Sequence, residues 1–118
     1  MGDATKQAVF LTKSAIASNG KKTFAPVELP VPEWGGSVFV RKLAVDDVPA
    51  YNAAVKKVEG TDNHRIAILT QALVDEAGAC HFGPESAEDR AVIAGLDLGG
   101  AERVVDKFLE LNGLARKN

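Results

Sequence analysis

Residues 28–43, ELPVPEWGGSVFVRKL, decide the fold. Pro30 and Pro32 push the residues before them toward extended backbone, and Gly35 and Gly36 admit positive φ. The chain therefore runs straight and then turns sharply, with its single tryptophan, Trp34, at the bend. Upstream, Ala25, Val27, Leu29 and Val31 share one side of a period-two pattern while Glu28 takes the other, and Pro26 and Pro30 mark an edge strand. Downstream, Val38 and Val40 share one face and Phe39 and Arg41 the opposite one. Residues 23–43 are expected to form a β-hairpin whose loop contains Trp34, Gly35 and Gly36, with at least one of these glycines in the left-handed region.

Helical periods follow. In VDDVPAYNAAVKKVEG, Asp46 or Asp47 can cap, Pro49 fits the first turn, and Val48, Tyr51, Val55 and Val58 recur at helical spacing. A second helix opens near Asp62 or Asn63 with a stripe of Ile66, Leu69, Ala72 and Leu73. VDEAGACHF reads as a short hairpin turning at Ala77-Gly78, or as a continuation of that helix. Ser86 and Asp89 start a short helix that ends at Gly95. The last helix spans about residues 99–111, stopped by Asn112-Gly113, and its apolar residues Val104, Val105, Phe108, Leu109 and Leu111 cover a wide arc. Either that arc is deeply buried or part of it meets a partner. Residues 1–22 read as a loosely ordered leader with a short helix around residues 13–17, capped by Thr12, and residues 23–118 as one domain. The expected class is α+β, with a small antiparallel sheet, the hairpin plus a short second one, covered on one face by three to four helices.

With 118 residues and 46% apolar content, one domain can bury a core unaided. A net charge of -2 argues against a nucleic-acid binder, and no stretch has the length of a membrane span. The lone Cys80 forms no internal disulfide, so a reducing compartment is expected. The leader's AVFL run is too short for a secretory core, and Lys6 stands where a myristoylation pattern wants Ser or Thr.

Catalytic chemistry finds little footing. His64, Cys80 and His81 lack paired zinc spacing, and neighbours on a strand face opposite ways and cannot share a proton. Cys80 is expected to be a small buried residue with His81 beside it toward solvent. The acidic clusters VDD, VDEA and ESAED stand at helix starts or turns and are expected to cap exposed amides. WGG and LGGAER fit no phosphate-binding loop, and Arg41 and Lys42 beside Glu28 and Glu33 leave a thin charge footprint for single-stranded nucleic acid. No enzymatic function is expected. Trp34 either covers one end of the hairpin or lies exposed, and Phe39 must be covered by the leader, by a helix or by another protein.

The order of these pieces resembles a family. VPEWGGSVFVRKL, an acid-started helix, LVDEAGACHFG, a short acidic helix and a last helix closing in LELNGL are similar to the tail assembly chaperones of long-tailed bacteriophages. Pro32, Trp34, Gly35 and Gly36 match the family's P-x-W-G-G turn, and Val38, Val40, Arg41 and Leu43 its V-x-V-R-x-L strand. Asp75, Gly78, Phe82, Leu111, Asn112 and Gly113 match the middle hairpin and the terminal L-N-G. The resemblance covers about residues 24–114. EAGAC replaces the more polar hairpin tip of the family, and the leader is longer.

The resemblance implies a cofactor-free protein of the host cytoplasm, absent from the mature virion. Such a protein holds the aggregation-prone tape measure protein in solution and helps recruit tail tube protein; self-association is left open, and neither nucleic acid nor membrane is a partner. The partner-binding residues expected are Trp34, Phe39 and Arg41 on the hairpin and Phe108 and Leu111 on the last helix. A minor structural component of the tail or head-tail connector is the alternative. Arg116-Lys117-Asn118 would also permit a slippery heptamer in the gene, with a second, longer product.

Overall fold

The structure, a computed structural model, describes residues 9–20, 24–56 and 64–114. The expectations about Val58, about capping by Asp62 or Asn63, and about the terminal Arg-Lys-Asn lie outside the described residues. Three antiparallel strands form one sheet in the order β1-β2-β3: β1 (Val27–Val31), β2 (Gly36–Val40) and β3 (Leu73–Val74). Helix α1 (Lys13–Gly20) lies in the leader, followed in the domain by α2 (Val48–Lys56), α3 (His64–Ala72), α4 (Ala87–Ala94) and α5 (Leu98–Leu111). The fold is α+β, as the alternation of two-residue and helical periods predicts.

The hairpin registers Val27 on Val40, Leu29 on Val38 and Val31 on Gly36, so these residues share a face, and Leu73 joins it opposite Val40. Helices cover that face. Val31, Val40 and Leu73 enter one core with Tyr51 of α2, Ile68 and Leu69 of α3, Ile93 of α4 and Val104, Val105 and Phe108 of α5. The other face carries Glu28, Phe39 and Val74, aligned across the three strands by the same register. β1 is an edge strand of the sheet, which is where Pro30 is tolerated.

Three details depart from the sequence reading. Gly36 belongs to β2, not to the loop, and of the pair only Gly35 has a left-handed φ, +82°; its N–H donates to Pro32 C=O at 3.0 Å to close a four-residue turn. Leu73 opens β3 directly after α3, because Ala72 C=O is taken by the N–H of Arg41 from β2's continuation, which draws the chain into the sheet. Val48 lies at the surface, since α2 turns its apolar stripe to the core only from Tyr51 onward.

α3 is buried from Ala67 to Ala72, since helices and strand flank it on more than one side. The second hairpin forms: Val74 pairs with Cys80, Gly78 turns with φ +93°, and Asp75 accepts the N–H groups of Ala77 at 2.9 Å and Ala79 at 3.0 Å. Those donors, Ala79 foremost, hold the Asp75 carboxyl below the usual range. Ser86 Oγ caps α4 by accepting Asp89 N–H at 3.1 Å, while Asp89 reaches back to Gly83 N–H at 2.8 Å, so Asp89, like Asp75, takes up an exposed amide as expected of its cluster.

Both ends of α5 are fixed. Asp97 Oδ2 accepts Gly100 N–H at 3.2 Å at the start. At the finish Gly113 takes φ +68° and donates to Glu110 C=O at 3.2 Å, while Leu114 donates to Leu109 C=O at 2.7 Å, the paired bonds of a Schellman stop. Asn112 does more than end the helix. Its amide accepts Leu43 N–H at 2.7 Å and donates to Arg41 C=O at 3.1 Å and Phe108 C=O at 3.0 Å, clamping the segment after β2 to the end of α5.

Candidate interaction surface

Among the described residues no three His, Cys, Asp or Glu side chains gather as a metal site, and no helix is long and apolar enough to cross a membrane. His64 and His81 are exposed, the latter edge-on to Phe82 with ring centroids 6.2 Å apart. Cys80 is exposed as well, against the expectation of burial. Its bridge to Val74 places it on the sheet face opposite the helical layer, where its Sγ lies 3.9 Å from Arg41 Nη1.

The hairpin tip turns inward. Trp34 is half-buried, its indole N–H donating to Asp97 C=O at 3.3 Å, and its ring covers Gly100 in the first turn of α5. A Cβ on Gly100 would stand 2.7 Å from indole Cδ1 and 2.8 Å from Cε2, so this contact requires glycine. Glu33 and Arg103 add a two-pronged ion pair, with Nε to Oε1 at 3.1 Å and Nη2 to Oε2 at 2.6 Å. Hydrogen bonding from Arg103 holds the Glu33 carboxyl below its ordinary value. Of the two placements open for Trp34, the structure gives the inward one. The glycine pair of LGGAER was the sequence signal for its receptor.

Arg41 is engaged within the chain. Its Nη2 pairs with Asp47 at 3.1 Å and its Nη1 reaches Gln71 Oε1 at 3.5 Å, leaving Lys42 as the cation on this rim, its Nζ 5.3 Å from the centre of the Phe24 ring. Phe108 is fully buried, its ring centroid 5.6 Å from that of Tyr51, and presents no surface to a partner. The wide apolar arc of α5 is thus explained by burial against the sheet, α3 and the hairpin tip. Leu111 is half-buried against the same core.

Phe39 differs from the other four. It lies half-buried outside the core cluster, between Glu28 and Val74 on the face turned away from the helices, where Glu28, Pro30, Ser37 and Cys80 are exposed. This second face deepens at one end into a cleft of about 290 Å³ formed by Phe24, Pro26, Arg41, Lys42, Val74 and Ala77 with their neighbours. Val45, 91% exposed, stands beside Ala44 on its rim.

The sequence reading offered the leader as one possible cover for Phe39. Thr12 Oγ1 caps α1 by accepting Ala15 N–H at 3.1 Å, as the sequence suggests. Yet residues 9–18 are all exposed, Val9 at 83%, Phe10 at 88%, Leu11 at 60% and Ile16 at 57%. The signal was the AVFL run itself, an apolar cluster with no period to assign it a core-facing side. No protein-family model matches the chain, and neither does any curated protein or solved structure.

Proposed function

We propose that this protein is a non-enzymatic tail assembly chaperone of a long-tailed bacteriophage, working in the host cytoplasm and absent from the finished virion. Its client is the tape measure protein, which it keeps soluble while tail tube subunits are recruited. The order of motifs over residues 24–114 suggests the family. The observation that carries the reading is the second sheet face, where Phe39 stands half-buried with no helix of the core over it, on a protein that also exposes Phe10. An apolar, helix-rich client needs such a surface and no catalytic group. Tight pairing of Arg41 and burial of Phe108 narrow the client surface to Phe39 and its neighbours.

The test begins with the reading frames beside the gene. A very long, helix-rich frame just downstream supplies the client, and co-expression should carry that client into the soluble fraction. Phe39→Ser should abolish the rescue while circular dichroism and the melting curve match the parent. An unfolded F39S would make Phe39 a core residue, and undiminished rescue would place the client elsewhere; either outcome defeats the assignment of Phe39. Recovery of the protein from purified particles in stoichiometric amount would identify a minor tail or connector component instead.

A further inference from the structure

We infer that the Asn112-Gly113 pair is a deamidation site that folding closes, and that a chain which has reacted there cannot rebuild the clamp at the end of α5. Asn19 and Asn112 are the asparagines that precede glycine in this chain. That pairing is the reactive one, because a following residue without a Cβ lets its backbone nitrogen approach the asparagine side chain. The Gly113 nitrogen attacks Asn112 Cγ, its proton departs with the side-chain nitrogen as ammonia, and a five-membered succinimide remains. Water then opens the ring at either carbonyl. The product is aspartate or, when the backbone carbonyl is attacked, isoaspartate, whose main chain runs through one extra carbon.

Three features of the fold oppose the first step. Ring closure needs the Gly113 nitrogen eclipsed with Cβ across the Asn112 Cα–C bond, whereas a ψ of 9° eclipses it with Asn112's own nitrogen. The reacting groups are turned apart. The carboxamide is held by Leu43 N–H at 2.7 Å, Arg41 C=O at 3.1 Å and Phe108 C=O at 3.0 Å, so swinging it toward the nitrogen breaks bonds at a partly buried junction. The attacking nitrogen is engaged too, donating to Glu110 C=O at 3.2 Å. All three constraints belong to the helix stop and the clamp, so one local opening, the release of α5's last turn from the segment after β2, removes them together.

The same bonds make the reaction one-way. Aspartate at 112 can still accept Leu43 N–H, but an ionised carboxylate has no proton to donate, so Arg41 C=O and Phe108 C=O lose their partner and face a negative charge. The last carbonyls of α5, the negative pole of the helix, add to the repulsion. Isoaspartate is worse placed, because its extra backbone carbon shifts Gly113 out of the left-handed turn, φ +68°, that ends the helix. Time spent open is thereby converted into lasting loss of the clamp.

The test incubates the full-length protein in mildly alkaline buffer, with and without unfolding urea, and digests it with trypsin, which separates Asn19 on peptide 14–21 from Asn112 on peptide 108–116. Mass spectrometry counts the chains in which NH has been exchanged for O at each site. In urea Asn112 should react at a rate comparable to Asn19, and in the folded protein at least tenfold more slowly than in urea. Gly113→Ala, read only in urea, where its effect on the fold is immaterial, should slow Asn112 at least tenfold and leave Asn19 unchanged. Asn112→Asp should lower the folded-to-unfolded ratio at least tenfold, while Asn19→Asp leaves it unchanged. Equal Asn112 rates with and without urea would show that folding does not close the site. An Asn112→Asp protein as stable as the parent would show that the clamp tolerates the product, and either result overturns the inference.

Discussion

The hairpin tip and the leader each hold an aromatic side chain, Trp34 in PEWGG and Phe10 in AVFLTK. The first folds in and the second does not. What separates them lies far along the chain: Trp34 meets Gly100, whose missing Cβ leaves room for the indole, while Phe10 remains 88% exposed, with no described residue of the domain covering it. Gly99 and Gly100 are poor helix formers, costing up to about 1 kcal/mol each relative to alanine in a helix interior. Their place in the first turn limits that cost, and the half-buried indole packed on Gly100 offsets it. Whether an aromatic residue in a turn becomes a contact site or a lock is decided by its receptor, not by its own surroundings.

Gly100→Val is the most direct way to break the contrast, because it removes the receptor and leaves Trp34 intact. With no room for a Cβ, the indole must leave, and overpacking of this kind costs roughly 1–3 kcal/mol; the loss should sit at the upper end because Gly100 is buried and the indole also gives up its bond to Asp97. Urea unfolding measures the loss. Emission from the single tryptophan should shift to the red in the folded state, and unshifted emission would show that the ring never depended on Gly100. Asn112→Ala should follow at about 1.5–2 kcal/mol, since it strands Leu43 N–H and Arg41 C=O at a partly buried junction. Emission should stay put in that variant, because the clamp lies at the opposite end of α5 from Trp34.

Gly35→Val tests the tip from its own side. The φ of +82° is strained for a β-branched residue, yet no atom lies within 4 Å of the point where a Cβ would stand, so backbone strain alone contributes, at about 1–2 kcal/mol. The same change at Gly36, a strand residue without positive φ and equally open, should cost clearly less. Equal losses at the two positions would remove the distinction between turn and strand.

The strands, the turn and several helix ends were legible in the sequence because local rules set them: alternation for β1 and β2, positive φ at one of two glycines, Ser86 at an N-cap, Gly113 at a stop; the cap of α5 at Asp97, one residue before the helix, was not read. Side-chain destinations were not. Phe108 and Phe39 look alike as apolar residues on wide or two-sided patterns, yet one is central to the core and the other faces away from it, because four helices pack on one side of the sheet. Asn112 reads as a helix terminator, and only the approach of Arg41 and Leu43 makes it a clamp. Cys80 reads as buried by type, but its strand is too short and too near the margin of the sheet to be covered. For Phe39, Phe108 and Asn112 the deciding partner is distant in sequence.

The smallest expected effect comes from Glu33→Gln, which keeps the shape of the tip and removes the charge paired with Arg103. The pair is solvent-exposed, so its contribution is modest and should shrink further in high salt. Its pH dependence has a definite sign. The folded-state pKa of Glu33 lies below its unfolded value, so the bridge contributes fully above the ordinary glutamate value, about 4.3, and the contribution disappears as pH falls through the lower folded value. The parent should therefore exceed E33Q in urea midpoint at neutral pH, with the gap closing only in acid. Asp75 supplies the internal control: its carboxyl is depressed by turn amides, not by Arg103, so its own acid-linked loss should persist unchanged in E33Q. A gap that is flat with pH would mean that Glu33 acts on the tip through packing, and the inward turn of Trp34 would then rest on Gly100 and Asp97 alone.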